Sequence, residues 1–361
     1  MNEKTPLIRL AKRENASKKQ IWTTRLCAFL LALLIGMLIY ALVGANPLEA
    51  YQTIFFASFK SRIGRRQILR NLTTLLCAAL ALAPCFKMKF WNCGAEGQIT
   101  MGAMAASYFA LYWANKLPRP LLLLVMAIAA LVMGAFWAAI PAFFKANWNT
   151  NETLFTLMLN YIAIGIVAWL QGGPWEGVPG SQIIPMFKES AVLPKLFGVH
   201  IGWIVVLLLV GVMYVYMNKT KHGYEIMVLG ESENTARYAG MNVKKITIRT
   251  IALSGAICGL AGYFLAAGAN GTLNSTVAGG VGFTAITVAW LSQLNPFAMT
   301  LVALLIVVLE KGAGSVYTTL GVPSTASNVI TGIILLCMLG CEFFINYRLI
   351  FRGKKEAENE L

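Results

Sequence analysis

Apolar residues run through this chain in long blocks, neither alternating in a strand period nor confined to one helical face. Ten blocks stand out, at 26–45, 69–86, 97–114, 119–143, 153–171, 201–218, 248–268, 280–294, 297–311 and 325–347. A helix needs about 20 apolar residues to cross about 30 Å of hydrocarbon, where every backbone polar group must be paired within the segment. The blocks therefore predict an all-α fold, a polytopic transmembrane helix bundle of about ten spans. Two of them, 280–294 and 297–311, are short for full crossings. Residues 26–347 form the expected transmembrane domain, flanked by basic tails at 1–25 and 348–361. Val43-Gly44-Ala45 loosely resembles a cleavage site, but the preceding apolar run is too long for a signal peptide, so an uncleaved first span is expected.

Composition agrees: 58% of the 361 residues are hydrophobic and 12% are charged, against about 45–50% and about 25% in soluble domains. The formal charge of +15 changes the picture only through its placement. Lys4, Arg9, Lys12, Arg13, Lys18, Lys19 and Arg25 precede the first span, and Arg348, Arg352, Lys354 and Lys355 follow the last. Basic residues flanking spans mark cytoplasmic ends, so a multi-pass protein of the plasma membrane with both termini cytoplasmic is expected, surrounded by membrane lipid. This distribution excludes a nucleic-acid partner. An even number of spans then puts loop 219–247, with Lys219, Lys221, Arg237, Lys244 and Lys245, inside. It puts the Gly- and Pro-rich loop 172–200 outside. One stretch runs against the rule: Lys60, Arg62, Arg65, Arg66 and Arg70 would lie outside.

Seven cysteines sit in or beside apolar runs without metal spacing, and only His200 and His222 are histidines. Buried small hydrophobes are the expected role of the cysteines, with no metal site. In Ser254-Gly255-Ala256-Ile257-Cys258-Gly259-Leu260-Ala261-Gly262 small residues recur three and four apart, which lets helix backbones approach closely in lipid.

Two segments carry chemistry. In Asn92-Cys-Gly-Ala-Glu-Gly-Gln98, Gly94 and Gly97 break or thin a helix between two spans. Glu96 in hydrocarbon costs about 2.5–3.5 kcal/mol and so needs a reason to be there. It either accepts hydrogen bonds that orient a broken helix, or faces a solute path, or sits in a cytoplasmic turn beside Lys87 and Lys89. Asn160, Asn270, Asn274 and Gln293 are further polar residues in or near spans, where interhelical hydrogen bonding is the common role. The second segment, residues 230–240, reads as a short cytoplasmic helix capped by Ser232. Glu231 and Glu233 suit its positive end, and Gly240 suits the left-handed position after its last turn. Such a helix between two spans is either a lever or an ordinary connection.

Gly223-Tyr-Glu225, Gly230, Ala236-Arg-Tyr-Ala-Gly-Met-Asn-Val243 and Leu253-Ser-Gly-Ala together resemble the coupling segment of ABC importer permeases of the branched-chain amino acid, ribose and nucleoside group. Asn92–Gln98 with Gly102 resembles that group's Asn-x-Gly-x-Glu-Gly-Gln signature. Gly280-Val-Gly-Phe-Thr-Ala-Ile-Thr-Val-Ala-Trp-Leu with Asn295-Pro296 resembles a third of its blocks. Met227 stands where the group usually has Arg, and Trp290 and Ser292 replace its usual Leu and Gly. The Glu-Gly-Gln form leans toward nucleoside and simple-sugar permeases. The resemblance implies ATP-driven alternating access. It assigns Asn92, Gly94, Glu96, Gly97, Gln98 and Phe283 to the translocation pathway or a helix break. It assigns Gly223, Glu225, Gly230, Asn234, Arg237, Gly240 and Asn242 to coupling with the ATPase. The implied partners are an ABC ATPase subunit, a second, paralogous permease and an extracytoplasmic solute-binding lipoprotein. The chain has no Gly-x-x-x-x-Gly-Lys-Ser/Thr loop and no nucleophile–base set. It is therefore expected to be no enzyme and to bind no cofactor, ATP acting on the partner ATPase. The alternative is an ion-coupled secondary transporter, for which Glu96 and Glu342 are the available ionisable groups.

Overall fold

The computed structural model describes residues 8–12 and 17–351. Of the basic tail residues, Lys4, Arg13, Arg352, Lys354 and Lys355 lie outside the described residues. In chain order the elements are β1 (Ile8–Lys12), α1 (Lys18–Leu42), α2 (Pro47–Gln52), α3 (Ser58–Lys60), α4 (Arg62–Lys87), α5 (Ala95–Tyr112), α6 (Arg119–Trp148) and α7 (Glu152–Gln171). Then follow β2 (Lys195–Leu196), β3 (Val199–His200), α8 (Gly202–Lys219), α9 (Lys221–Glu231), α10 (Glu233–Tyr238) and α11 (Val243–Tyr263). Last come α12 (Val281–Leu291), α13 (Pro296–Leu320), α14 (Ser324–Asn346) and β4 (Tyr347–Phe351). Each of the ten apolar blocks is helical over most of its length. Among the described residues, six stretches are long and apolar enough to cross a membrane: α4, α6, α7, α8, Val243–Asn270 and α13. Two shorter apolar stretches, Leu26–Leu42 and Val281–Leu291, accompany them.

Three local details differ from expectation. The first helix begins at Lys18, eight residues into the anticipated tail, where the Ser17 hydroxyl accepts from the Gln20 N–H at 3.2 Å. Part of that tail, β1, pairs antiparallel with β4. Residues 221–231, read as loop, form α9.

The chain divides into two compact units. Residues 1–58 and 309–361 form one. In it α1 packs on α14, and the Tyr51 hydroxyl donates to the Leu33 carbonyl at 2.8 Å. Residues 59–308 form the other, whose core is α4, α5, α6 and α11. In this second unit the small residues of α11 lie directly against neighbouring backbone. A Cβ on Gly255 would fall 2.3 Å from the Gly134 carbonyl oxygen. One on Gly259 would fall 2.1 Å from that of Ala130, and one on Gly262 would fall 2.1 Å from that of Ile99. On α5, a Cβ at Gly102 would fall 2.3 Å from the Gly259 Cα. Three helices thus meet along a seam of glycine and alanine, the close approach that small residues permit in lipid. Beyond α11 the chain winds into a wider π-helical turn, Phe264–Asn270, ended by left-handed Gly271.

Candidate functional site

The Asn92–Gln98 segment lies in the second unit, between α4 and α5. The helix stops before Lys89, which takes a left-handed φ of 60°, and restarts at Ala95. Asn92 closes the break: its Oδ1 accepts from the Gly94 N–H and from Gln98 Nε2, both at 3.0 Å. Its Nδ2 donates to Gln98 Oε1 at 3.3 Å and to Ser254 Oγ at 3.4 Å. A buried polar group must find partners of this kind or pay for desolvation.

From α7, two side chains grip the same break. Thr156 Oγ1 accepts from the Cys93 N–H at 3.2 Å. Asn160 accepts from the Gly97 N–H at 2.8 Å and donates to the Cys93 carbonyl at 2.9 Å. The two glycines are there for proximity. A Cβ on Gly94 would meet Thr156 Cβ at 3.0 Å, and one on Gly97 would meet Asn160 Oδ1 at 2.9 Å.

Glu96 reaches the opposite way, to the start of α12. Its two carboxylate oxygens accept the Gly280 N–H at 2.7 Å and the Gly282 N–H at 2.8 Å. The first N–H groups of a helix have no intrahelical acceptor, and an anion there also meets the positive end of the helix dipole. Gly280 has φ +84°, and a Cβ on Gly282 would lie 2.3 Å from the Glu96 nitrogen. Glu96 is 6% exposed, Gln98 1% and Asn92 0%; in this conformation Asn92 and Gln98 are occupied with each other and Glu96 with the start of α12. The turn beside Lys87 and Lys89 is therefore not where the Glu96 carboxylate sits. Phe283, one residue past Gly282, is exposed on α12. Trp290 stacks on Trp91 at 5.3 Å between ring centres, with Phe86 5.4 Å from it.

The residues that the resemblance assigns to coupling gather at the junction of α4, α8, α9, α10 and α11. Thr220 caps α9, its hydroxyl accepting from the Gly223 N–H at 3.1 Å. A Cβ on Gly223 would strike the Tyr216 carbonyl at 2.4 Å, and one on Gly230 would strike that of Lys87 at 2.0 Å. These two glycines seat α9 on the ends of α8 and α4, which Lys87 also ties together by donating to the Met217 carbonyl at 3.1 Å. Glu225 pairs with Arg249 at 2.8 Å, holding α9 to α11. Met227, in place of the arginine usual at that position, is exposed.

Helix α10 is capped at both ends. Ser232 accepts from the Thr235 N–H at 3.2 Å. Gly240, at φ +74°, donates to the Arg237 carbonyl, and Met241 donates to that of Ala236, both at 3.0 Å. This double bond pattern is the Schellman ending. Within α10 only Ala236 is buried; Asn234, Arg237 and Tyr238 are exposed. Arg237 pairs with Glu233 one turn back at 2.5 Å. Asn242 caps α11 by accepting from the Lys245 N–H at 3.0 Å. Beside α10 opens a cleft of about 310 Å³, lined among others by Phe90, Lys145, Glu152, Gly230 and Glu233.

Sequence reasoning missed Thr156, Ser254 and the Gly280 N–H. Thr156 belongs to no motif, and the motifs that hold Ser254 and Gly280 give no sign of their bonds to Asn92 and Glu96, which folding alone creates. Asn160 was recognisable as a polar residue within a span, though not its partner.

Residues 65–339 match the family model described as the branched-chain amino acid transport system / permease component. The chain is 34% identical to the glucose ABC transporter permease protein TsgB13 of Haloferax volcanii, over 90% of this chain and 89% of that protein. It is 30% identical to the guanosine ABC transporter permease protein NupP of Bacillus subtilis, over 86% of this chain and 91% of the relative. It is 27% identical to the nucleoside ABC transporter permease protein NupB of Lactococcus lactis, over 90% and 92% respectively.

Proposed function

This chain belongs to the branched-chain amino acid transport system / permease component family and is a multi-pass permease of an ABC transporter, and we propose that the solute it carries inward is a nucleoside or a related simple sugar. The relatives named for glucose, guanosine and nucleosides support that cargo class. ABC permeases work with ATPase and binding-protein partners and are transporters rather than enzymes. ATP would act on the separate ATPase subunit.

The observation that carries the coupling part of this reading is α10, doubly capped and exposed on every side except Ala236. The ATPase docks on Asn234, Arg237 and Tyr238, with the cleft beside α10 receiving part of it. Force then passes through α9, whose glycines rest directly on the ends of α4 and α8. Both termini and this junction face the cytoplasm, and the loop at 172–200 meets the binding lipoprotein on the other side. A second, paralogous permease completes the pathway.

Reconstitution with the ATPase, the binding protein and the second permease in proteoliposomes tests the proposal. Labelled guanosine or glucose should accumulate only with ATP at the ATPase face, and collapse of the proton gradient should leave uptake unchanged. Uptake that follows the gradient and ignores ATP would instead establish an ion-coupled secondary transporter.

A further inference from the structure

In the second unit, at the N-terminal ends of α4 and α8, a cavity of about 240 Å³ is lined by Arg66, Arg70, Lys195 and His200. Gln67, Ile63, Val199 and the glycine-alanine pair at 268–269 complete its wall, and no carboxylate belongs to the lining. Three cations from two separate parts of the chain thus converge without a balancing acid. Among the described residues, none of the three takes part in an ion pair. The Arg66 guanidinium lies flat on Gly198, where a Cβ would come within 2.2 Å of Nε. Arg70, also in the lining, spends one donor on a long 3.5 Å contact to the Ala269 carbonyl.

His200 supplies an independent observation. It is 1% exposed, and neither ring nitrogen has a hydrogen-bond partner. Its ring is wedged between Gly202 and Gly268, each of whose Cβ atoms would come within 2.8 Å of it, and stacks on Phe264. Burial and the Arg70 charge push its pKa down to about 4, so at neutral pH it is uncharged and offers one N–H. A buried donor without a partner is costly, and one that lines a cationic cavity is matched by an oxyanion.

We propose that Arg66, Arg70, Lys195 and His200 form a binding site for a phosphate group, borne by a membrane-lipid headgroup or free in solution. Arginine forks match phosphate oxygens in pairs, and the cavity has room for a tetrahedral group with its ester atoms. Both α4 and α8 are membrane-crossing helices, so their ends lie at headgroup depth. The site also gives a purpose to Arg66 and Arg70, whose charge on that side of the membrane the positive-inside rule leaves unexplained.

The test uses the purified full chain in detergent with two probes: dioleoylphosphatidylglycerol followed by native mass spectrometry, and radiolabelled inorganic phosphate followed by equilibrium dialysis. Lys195→Gln changes an exposed hairpin residue, and Arg70→Gln changes the inner cation. Lys219→Gln, at the far end of α8, controls for general charge. Each site variant should weaken binding about tenfold, the scale of one charge-assisted hydrogen bond, with Lys219→Gln unchanged. A loss seen with the lipid alone identifies a headgroup, and one seen with inorganic phosphate alone identifies a soluble ligand. Binding of neither probe, or equal weakening by Lys219→Gln, overturns the proposal. So does an acidic protein partner that needs Lys195 when neither phosphate probe binds.

Discussion

The Glu96 carboxylate holds two backbone N–H groups of another helix at 2.7 and 2.8 Å while buried to 6% exposure. Replacing it separates the roles of shape, acceptor capacity and charge. Glu96→Gln keeps one acceptor oxygen but turns an NH₂ toward a second N–H, so the complex should assemble while uptake falls severalfold. Glu96→Leu strands both donors, at about 1–3 kcal/mol for each buried unsatisfied group, so the assembled yield itself should drop. Expression, size-exclusion yield and uptake measured side by side check this, and wild-type transport by the leucine variant would remove the argument. That Glu96 matters was legible, because a carboxylate in an apolar block demands an explanation. Its partner was not, since Gly280 lies 184 residues away in sequence. The same holds for Asn160, 63 residues from Gly97. Local composition carries no record of contacts at that range.

At the scale of the element, α10 was readable because caps are local: Ser232 and Gly240 announce themselves within one turn of what they cap. Helix α9 escaped notice because two glycines weaken its helical propensity. Its stability comes instead from seating those glycines on the carbonyls of Tyr216 and Lys87, a tertiary effect. Gly240→Val forces a β-branched residue to φ +74°, the left-handed region that such residues resist. It should uncouple ATP hydrolysis from uptake in a complex of normal abundance; coupled uptake in that variant would dismiss the lever. Gly230→Ala drives a methyl to 2.0 Å from the Lys87 carbonyl. It should displace α9 and lower both ATPase stimulation and thermal stability, measured on the purified complex. Cysteines substituted at Asn234 or Arg237 should crosslink to the ATPase with nucleotide-dependent yield, and a yield indifferent to nucleotide would argue for a static dock.

For the whole molecule, the membrane character was written in the apolar blocks, since lipid demands the same residues whatever the tertiary arrangement. The pairing of those blocks was less visible. The spacing of small residues in α11 marked a packing face, and the structure supplies the partners, Gly134 on α6 and Gly102 on α5. Gly259→Leu has nowhere to go, with the α6 backbone at Ala130 and Gly134 within 3.1 Å of its Cβ position. It should abolish assembly, whereas Gly211→Leu, on a helix face with nothing within 4 Å, should be tolerated. Parallel membrane expression levels decide the matter.

The seam of α5, α6 and α11 also constrains how the permease can move. Side chains can change rotamer and let helices slide, but backbone laid on backbone has no such slack. The three helices therefore behave as a single rigid keel through the transport cycle, exchanging their amide hydrogens as one late block. Bending falls to the margins: the wide turn at Phe264–Asn270, whose looser winding is easily rewound, and the stretch from Gly271 to Gly280, bounded by left-handed glycines. Helix α12 follows that stretch, held to α5 at its start by Glu96 and to α4 along its length, so it can part from the keel only where both holds release together.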